Sequence, residues 1–212
     1  MTQMRLLTSP ATRRGEFAPR RGRRARLCLA LCNAAIMLGL GAGAAAARGE
    51  DIASVYTSLD LAKCKDVTPA DAKDYGTIWR CKGLNGIDVR VAEGDLRINV
   101  SYGPKAETQK AAQQTVPQFN NIGDTLEWRV VKDGRRTTPF ATILRFPWSV
   151  DGKTGWTLVV TKLGKGDACH VAYVEAAGNP KANEQARAQA DTLARGFDCK
   201  RDVPRHYGAD AA

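Results

Sequence analysis

Two histidines, three methionines and an aromatic content of 7% in 212 residues leave few of the side chains from which metal, redox and nucleophilic centres are assembled. Beyond residue 47 the chain has no Cys-x-x-Cys pair, which excludes a dithiol redox centre of the usual kind. A zinc site needs four ligands at short paired spacings, and only His170 and His206 stand beside the cysteines there, so neither a metal nor a cofactor is expected. Neither G-x-S-x-G nor H-E-x-x-H occurs. Gly152-Lys153-Thr154 has the ending of a phosphate-binding loop, but Pro147 occupies the place of its first glycine, so the stretch reads as a hairpin turn. Asn99-Val100-Ser101 matches a glycosylation sequon, yet it falls inside an expected strand and reads as chance.

What the sequence does have begins with an export leader. The first 26 residues carry eight arginines against the single acid Glu16. An uncharged stretch from Leu27 to Leu40 follows, short of the roughly 20 apolar residues a spanning helix needs. Gly41 to Ala47 then offer an A-x-A cleavage site at Ala45 and Ala47, so residues 1–47 read as a signal peptide and Arg48 as the mature start. The competing reading is an uncleaved N-terminal anchor. Thr12-Arg13-Arg14 with Phe17 suggests a twin-arginine leader, but the pair lies far from the apolar stretch, so the general secretory route is favoured. Leucine precedes both Cys28 and Cys32, which disfavours a lipoprotein anchor. Losing the leader removes a net +7 from the formal charge of +10. The remainder, about +3, no longer points to nucleic acid as a partner.

Four cysteines remain: Cys64, Cys81, Cys169 and Cys199. Outside the cytoplasm an even count in a domain this small reads as two disulfides. Three pairings are possible. Cys64 with Cys81 and Cys169 with Cys199 are favoured, because each closes a local loop at one end of the domain.

Between these cysteines the pattern is that of antiparallel strands. Ile87, Val89 and Val91 alternate with polar residues, as do Leu96, Ile98, Val100 and Tyr102. Asn85-Gly86, Glu93-Gly94-Asp95, Asp133-Gly134 and Asp151-Gly152 supply turns. Four successive strands are expected between Leu126 and Val174, and an early extended segment near Val55 to Leu61. Lys105 to Gln114 reads as a short exposed helix. Asn179-Pro180 reads as a helix start, with Ala186, Ala190, Leu193, Ala194 and Phe197 on one face. The expected fold is α+β: an antiparallel meander of about seven strands over residues 48–199, a C-terminal helix packed on it, two disulfides, and a loose tail from 200 to 212.

Candidate sites are few. His170 beside Cys169 suggests a thiol–histidine pair, but the thiol should be oxidised and adjacent strand residues face opposite ways. Glu93 and Asp95 are the best local carboxylate pair, on a turn that offers no shielding. Trp148 and Trp156 flank the Asp151-Gly152 turn, where they would face each other as an aromatic platform for a sugar or peptide. In a meander, alternate turns share one end of the sheet, which would bring Lys132, Arg135 and Arg136 beside Lys162 and Lys165 as a basic rim for an anionic envelope polymer or an acidic envelope protein.

Three strings then carry a resemblance: Tyr56-Thr57-x-Leu59 leading to Cys64, Trp79-x-Cys81-x-Gly83, and Glu93-Gly94-Asp95-Leu96-Arg97 leading to Val100-Ser101-Tyr102-Gly103. Together they resemble a group of uncharacterised exported bacterial proteins. The resemblance implies a bacterial, periplasmic home and no activity. With the leader removed, the expectation is a periplasmic or secreted binding or inhibitor-type module of the cell envelope that neither binds nucleic acid nor enters the membrane. The alternative is an exported hydrolase built on a carboxylate site that no motif reveals.

Overall fold

A computed structural model describes residues 50–208, so the expected leader and residues 209–212 lie outside the described residues. The order of elements is β1 (Asp51–Ser58), β2 (Lys65–Asp66), β3 (Thr77–Cys81), β4 (Val89–Gly94), β5 (Arg97–Tyr102), β6 (Phe119–Asn120), β7 (Thr125–Asp133), β8 (Arg136–Val150), β9 (Lys153–Leu163), β10 (Ala168–Glu175), α1 (Ala182–Leu193) and β11 (Arg205–Tyr207). They make three layers: a four-stranded sheet, a seven-stranded sheet and the helix.

The large sheet runs β1-β7-β8-β9-β10-β11, with β6 also paired to β8. Its centre, β7 to β10, is the expected antiparallel run of four. The whole is not a simple meander, however. Strand β1 crosses over to pair with β7, and β11 lies parallel to β10, so the sheet is mixed. Residues 205–207, expected to belong to a loose tail, are therefore a sheet edge. Strands β2-β3-β4-β5 form a separate antiparallel sheet.

Turn chemistry explains the hairpins. Asp151 and Gly152 have φ of 48° and 73°. They form the two-residue loop between β8 and β9, and such positive φ values suit the right-handed twist of the flanking strands. Asp95 and Leu96 do the same between β4 and β5, although the left-handed region disfavours a leucine.

Alternation of side chains separates two cores. On one face of the large sheet Trp128, Leu144, Phe146 and Val159 meet Val89, Val91, Val100 and Tyr102 of the small sheet. On the other face Ile143, Leu158, Val160 and Val174 lie under Ala182, Ala186, Ala190 and Ala194. Small side chains on the helix let it approach the sheet closely. The helix begins at Ala182, a little after Asn179, whose Oδ1 accepts from the Lys181 amide at 3.1 Å while its amide donates to the Glu175 carbonyl.

The segment expected as an exposed helix at 105–114 forms two short 3-10 turns instead, Ala106–Thr108 and Lys110–Gln113. Gln109 of this segment, with Thr115 and Asn120 beyond it, is committed to the open edge of β5. Gln109 bonds both the amide and the carbonyl of Tyr102, Thr115 donates to the Ile98 carbonyl, and Asn120 accepts from the Ile98 amide. Covering an edge in this way blocks strand addition from another chain.

Both disulfides join the expected partners. Cys64–Cys81 ties the start of β2 to the end of β3 across 17 residues. Cys169–Cys199 ties β10 to the chain after α1 across 30.

Candidate functional site

The two tryptophans do not form a platform. Val150 pairs with Lys153 across the two-residue loop, so Trp148 stands opposite Gly155 and Trp156 opposite Pro147. Cross-strand partners share a face and neighbours alternate, which places the indoles on opposite sides of the sheet. Trp148 covers Gly155, where an added Cβ would lie 2.4 Å from its ring, and donates to Thr157 at 3.2 Å. Trp156 is exposed on the helix side with the Arg145 guanidinium 5.8 Å from its ring centre.

The basic rim does not assemble either. The β7–β8 and β9–β10 turns do share an end of the sheet, but Ala141 is the register partner of Lys162, so the β7–β8 hairpin continues five residues further to Arg136. That is roughly 17 Å of strand. Lys132, Arg135 and Arg136 sit exposed on this projecting tip, and Lys165 stays on its own exposed turn. Lys162 is committed elsewhere, donating to the Phe197 carbonyl just after the helix.

His170 is buried, and the loss of water pulls its imidazole down to about pKa 3, so it is neutral at physiological pH. It shares a 2.8 Å hydrogen bond with Tyr173, whose phenol burial pushes up to about 12. In register with it lie Thr161 and Thr142, and Thr142 donates to the Tyr102 hydroxyl at 2.9 Å. This polar row is sealed between the sheets and fastens one to the other. Asp95 pairs with Arg97 on its turn and Glu93 is only half-buried, so the carboxylate pair is unshielded.

A denser set of charges joins the helix to β1 and β7. Arg129 makes a two-pronged bond to Asp191 at 2.9 and 2.6 Å and donates to Ser54. Ser54 donates to Glu127, and Glu127 accepts from Arg187 at 2.7 and 3.2 Å. The bond to Glu127 raises the pKa of Arg187 above the usual arginine value. Each charge here already has its partner, so the network acts as a clamp.

The outer face of the small sheet differs. Lys65 is the register partner of Arg80, Arg80 of Arg90, and Arg90 of Ser101, so one row across four strands holds three cations and a hydroxyl. Core residues Val91 and Val100 pair in the adjacent row and point the other way, which fixes this row on the outer side. Like charges directly opposite on neighbouring strands repel. Among the described residues none of the three cations makes an ion pair or side-chain hydrogen bond. Partial burial lowers the pKa of Arg90, an effect that the charge of Glu107 only partly offsets. The Ser101 hydroxyl is fully buried and has no hydrogen-bond partner among the described residues.

Arg80 and Arg90 line a cleft of about 610 Å³ whose wall is the 104–107 turn, with Asp88, Lys105 and Glu107 around it. Lys105 is held in the left-handed region at φ 58°. For a non-glycine residue that conformation costs on the order of 1 kcal/mol and clusters at ligand clamps. Asp88 and Glu107 are both exposed. Sequence alone does not reveal this site, because Arg80 and Arg90 each look like a solvated residue on the polar face of a short strand. Their juxtaposition depends on the register of β3 against β4, which the seven residues between those strands do not announce. No protein-family model, curated protein or solved structure matches the chain.

Proposed function

We propose that the protein is an exported binding module of the bacterial cell envelope, and that it takes its ligand in the Arg80–Arg90 cleft. This reading rests on Arg80 and Arg90, two register partners that line a cleft of about 610 Å³ and make no ion pair or side-chain hydrogen bond among the described residues. That volume is within the size range of small-molecule sites. Two disulfides suit a protein held in an oxidising compartment. Among the described residues no helix is long and apolar enough to cross a membrane.

A carboxylate hydrolase is the second reading, because Asp88 and Glu107 both border the cleft. Acid–base work by a carboxylate pair needs one member removed from water to hold its proton. Both of these are exposed, so binding is the better account.

The test is amide chemical-shift mapping of the oxidised protein mixed with a solubilised envelope polysaccharide fraction. Shifts should concentrate at residues 78–90 and 103–107. Shifts centred instead on 132–136 or on Trp156 would move the site, and release of reducing ends by the protein would favour the hydrolase.

A further inference from the structure

The chemistry of the cleft also specifies its ligand class, an inference that rests on the cleft being the binding site. We infer that the ligand presents at least two discrete oxyanion groups, phosphate or carboxylate, which Arg90 and Arg80 grip side by side, with Lys65, on the next strand and outside the cleft lining, extending the grip along the row.

The spacing supports this. Lys65, Arg80 and Arg90 sit in one register row on three successive strands. Neighbouring strands lie about 4.8 Å apart, so such a row spans roughly 10 Å. A single small anion cannot engage all three, whereas two oxyanions on one molecule can. Guanidinium groups present two parallel N–H donors to a carboxylate or phosphate, a match a lone ammonium does not offer. Elsewhere in this protein guanidinium groups behave in that way, as the fork from Arg129 to Asp191 illustrates. In the cleft the same group is present twice with no carboxylate within ion-pair distance among the described residues.

Asp88 and Glu107 set the limit on charge density. They border the cleft with Lys105, so a uniformly charged strand such as a nucleic acid would meet repulsion from these carboxylates beside the cations. Separate anionic groups on an otherwise neutral frame avoid it. Both a free small molecule and a segment of an anionic polymer meet that description.

Calorimetric titration with amide-shift mapping distinguishes these sources. The full chain, exported by its expression host and purified oxidised, is titrated with pyrophosphate, citrate, an oligogalacturonate and a neutral dextran oligomer. At least one anionic probe should bind, shift the amides of Arg80, Arg90 and Ser101, and lose affinity as salt rises. Arg90→Gln should weaken it by roughly tenfold or more, and Arg80→Gln should do likewise if Arg90→Gln compromises folding. Affinity that grows with galacturonate length marks a polymer segment; equal or better binding of citrate or pyrophosphate marks a small molecule. Either result supports the inference. Dextran binding in the cleft, unaffected by both variants, would overturn the oxyanion while leaving the cleft as a site. Failure of all three anions would also overturn the oxyanion, and if the envelope fraction leaves the cleft amides unmoved as well, the cleft itself falls.

Discussion

Asp191→Ala is expected to cost about 3 kcal/mol of unfolding free energy, near the low end of what removing one member of a buried ion pair costs. The Arg129 side chain is 9% exposed and that of Asp191 26%, so the arginine left behind stays largely desolvated while the vacated side admits some water. The effect reaches past one pair. Arg129 also donates to Ser54, which donates to Glu127, which holds Arg187 on the helix. Loss of Asp191 removes both prongs of the Arg129 fork, leaving only its bond to Ser54, and loosens the attachment of α1 to β7 and β1 together. Replacing both partners by apolar residues, Arg129→Met with Asp191→Leu, should cost clearly less than the single change, because no charge is stranded. Urea unfolding followed by fluorescence and circular dichroism measures both. A single-variant loss below about 1 kcal/mol would mean that the clamp is solvated and contributes little. The cleft lies on the far side of the small sheet, so ligand binding by the folded fraction should not change.

Removing the disulfides should have effects of similar size. They close loops of 30 and 17 residues. On the chain-entropy account, losing Cys169–Cys199 costs roughly 3.6 kcal/mol and losing Cys64–Cys81 roughly 3 kcal/mol. The consequences diverge. Cys169→Ala with Cys199→Ala removes the covalent tie on the chain after α1 and should lower stability with the cleft intact in whatever remains folded. Cys64 and Cys81 adjoin Lys65 and Arg80, and β2 contributes only two residues to its sheet. Cys64→Ala with Cys81→Ala should therefore raise hydrogen exchange at 64–68 and weaken the hold on any ligand reaching Lys65. Unchanged exchange there would show that β2 is held by its strand pairing alone.

Local chemistry makes much of the fold legible in advance. Asp151-Gly152 announces its hairpin because aspartate and glycine tolerate positive φ, Asp133-Gly134 does so through Gly134 alone, and the strands between them follow by period-two alternation. Cysteine pairing is legible because each bond is local. Pairing of β1 with β7 and of β11 with β10 is not, since nothing in residues 51–58 or 205–207 encodes so distant a partner. The 105–114 segment has helical composition, but Gln109 is drawn to the β5 edge, a demand visible only once that edge exists. Register decides the sites. A one-residue difference across the Asp151-Gly152 loop is enough to put Trp148 and Trp156 on opposite faces, and register alone aligns Lys65, Arg80 and Arg90.

Charges retained for a ligand should not be needed by the fold, and that can be measured directly. Arg80 and Arg90 oppose each other across β3 and β4. Arg80→Gln with Arg90→Gln should unfold in urea at the same midpoint as the parent protein or a higher one, because that repulsion between like charges is gone. A lower midpoint, with a loss above about 1 kcal/mol, would make the arginine row a structural element and contradict the assignment of the cleft.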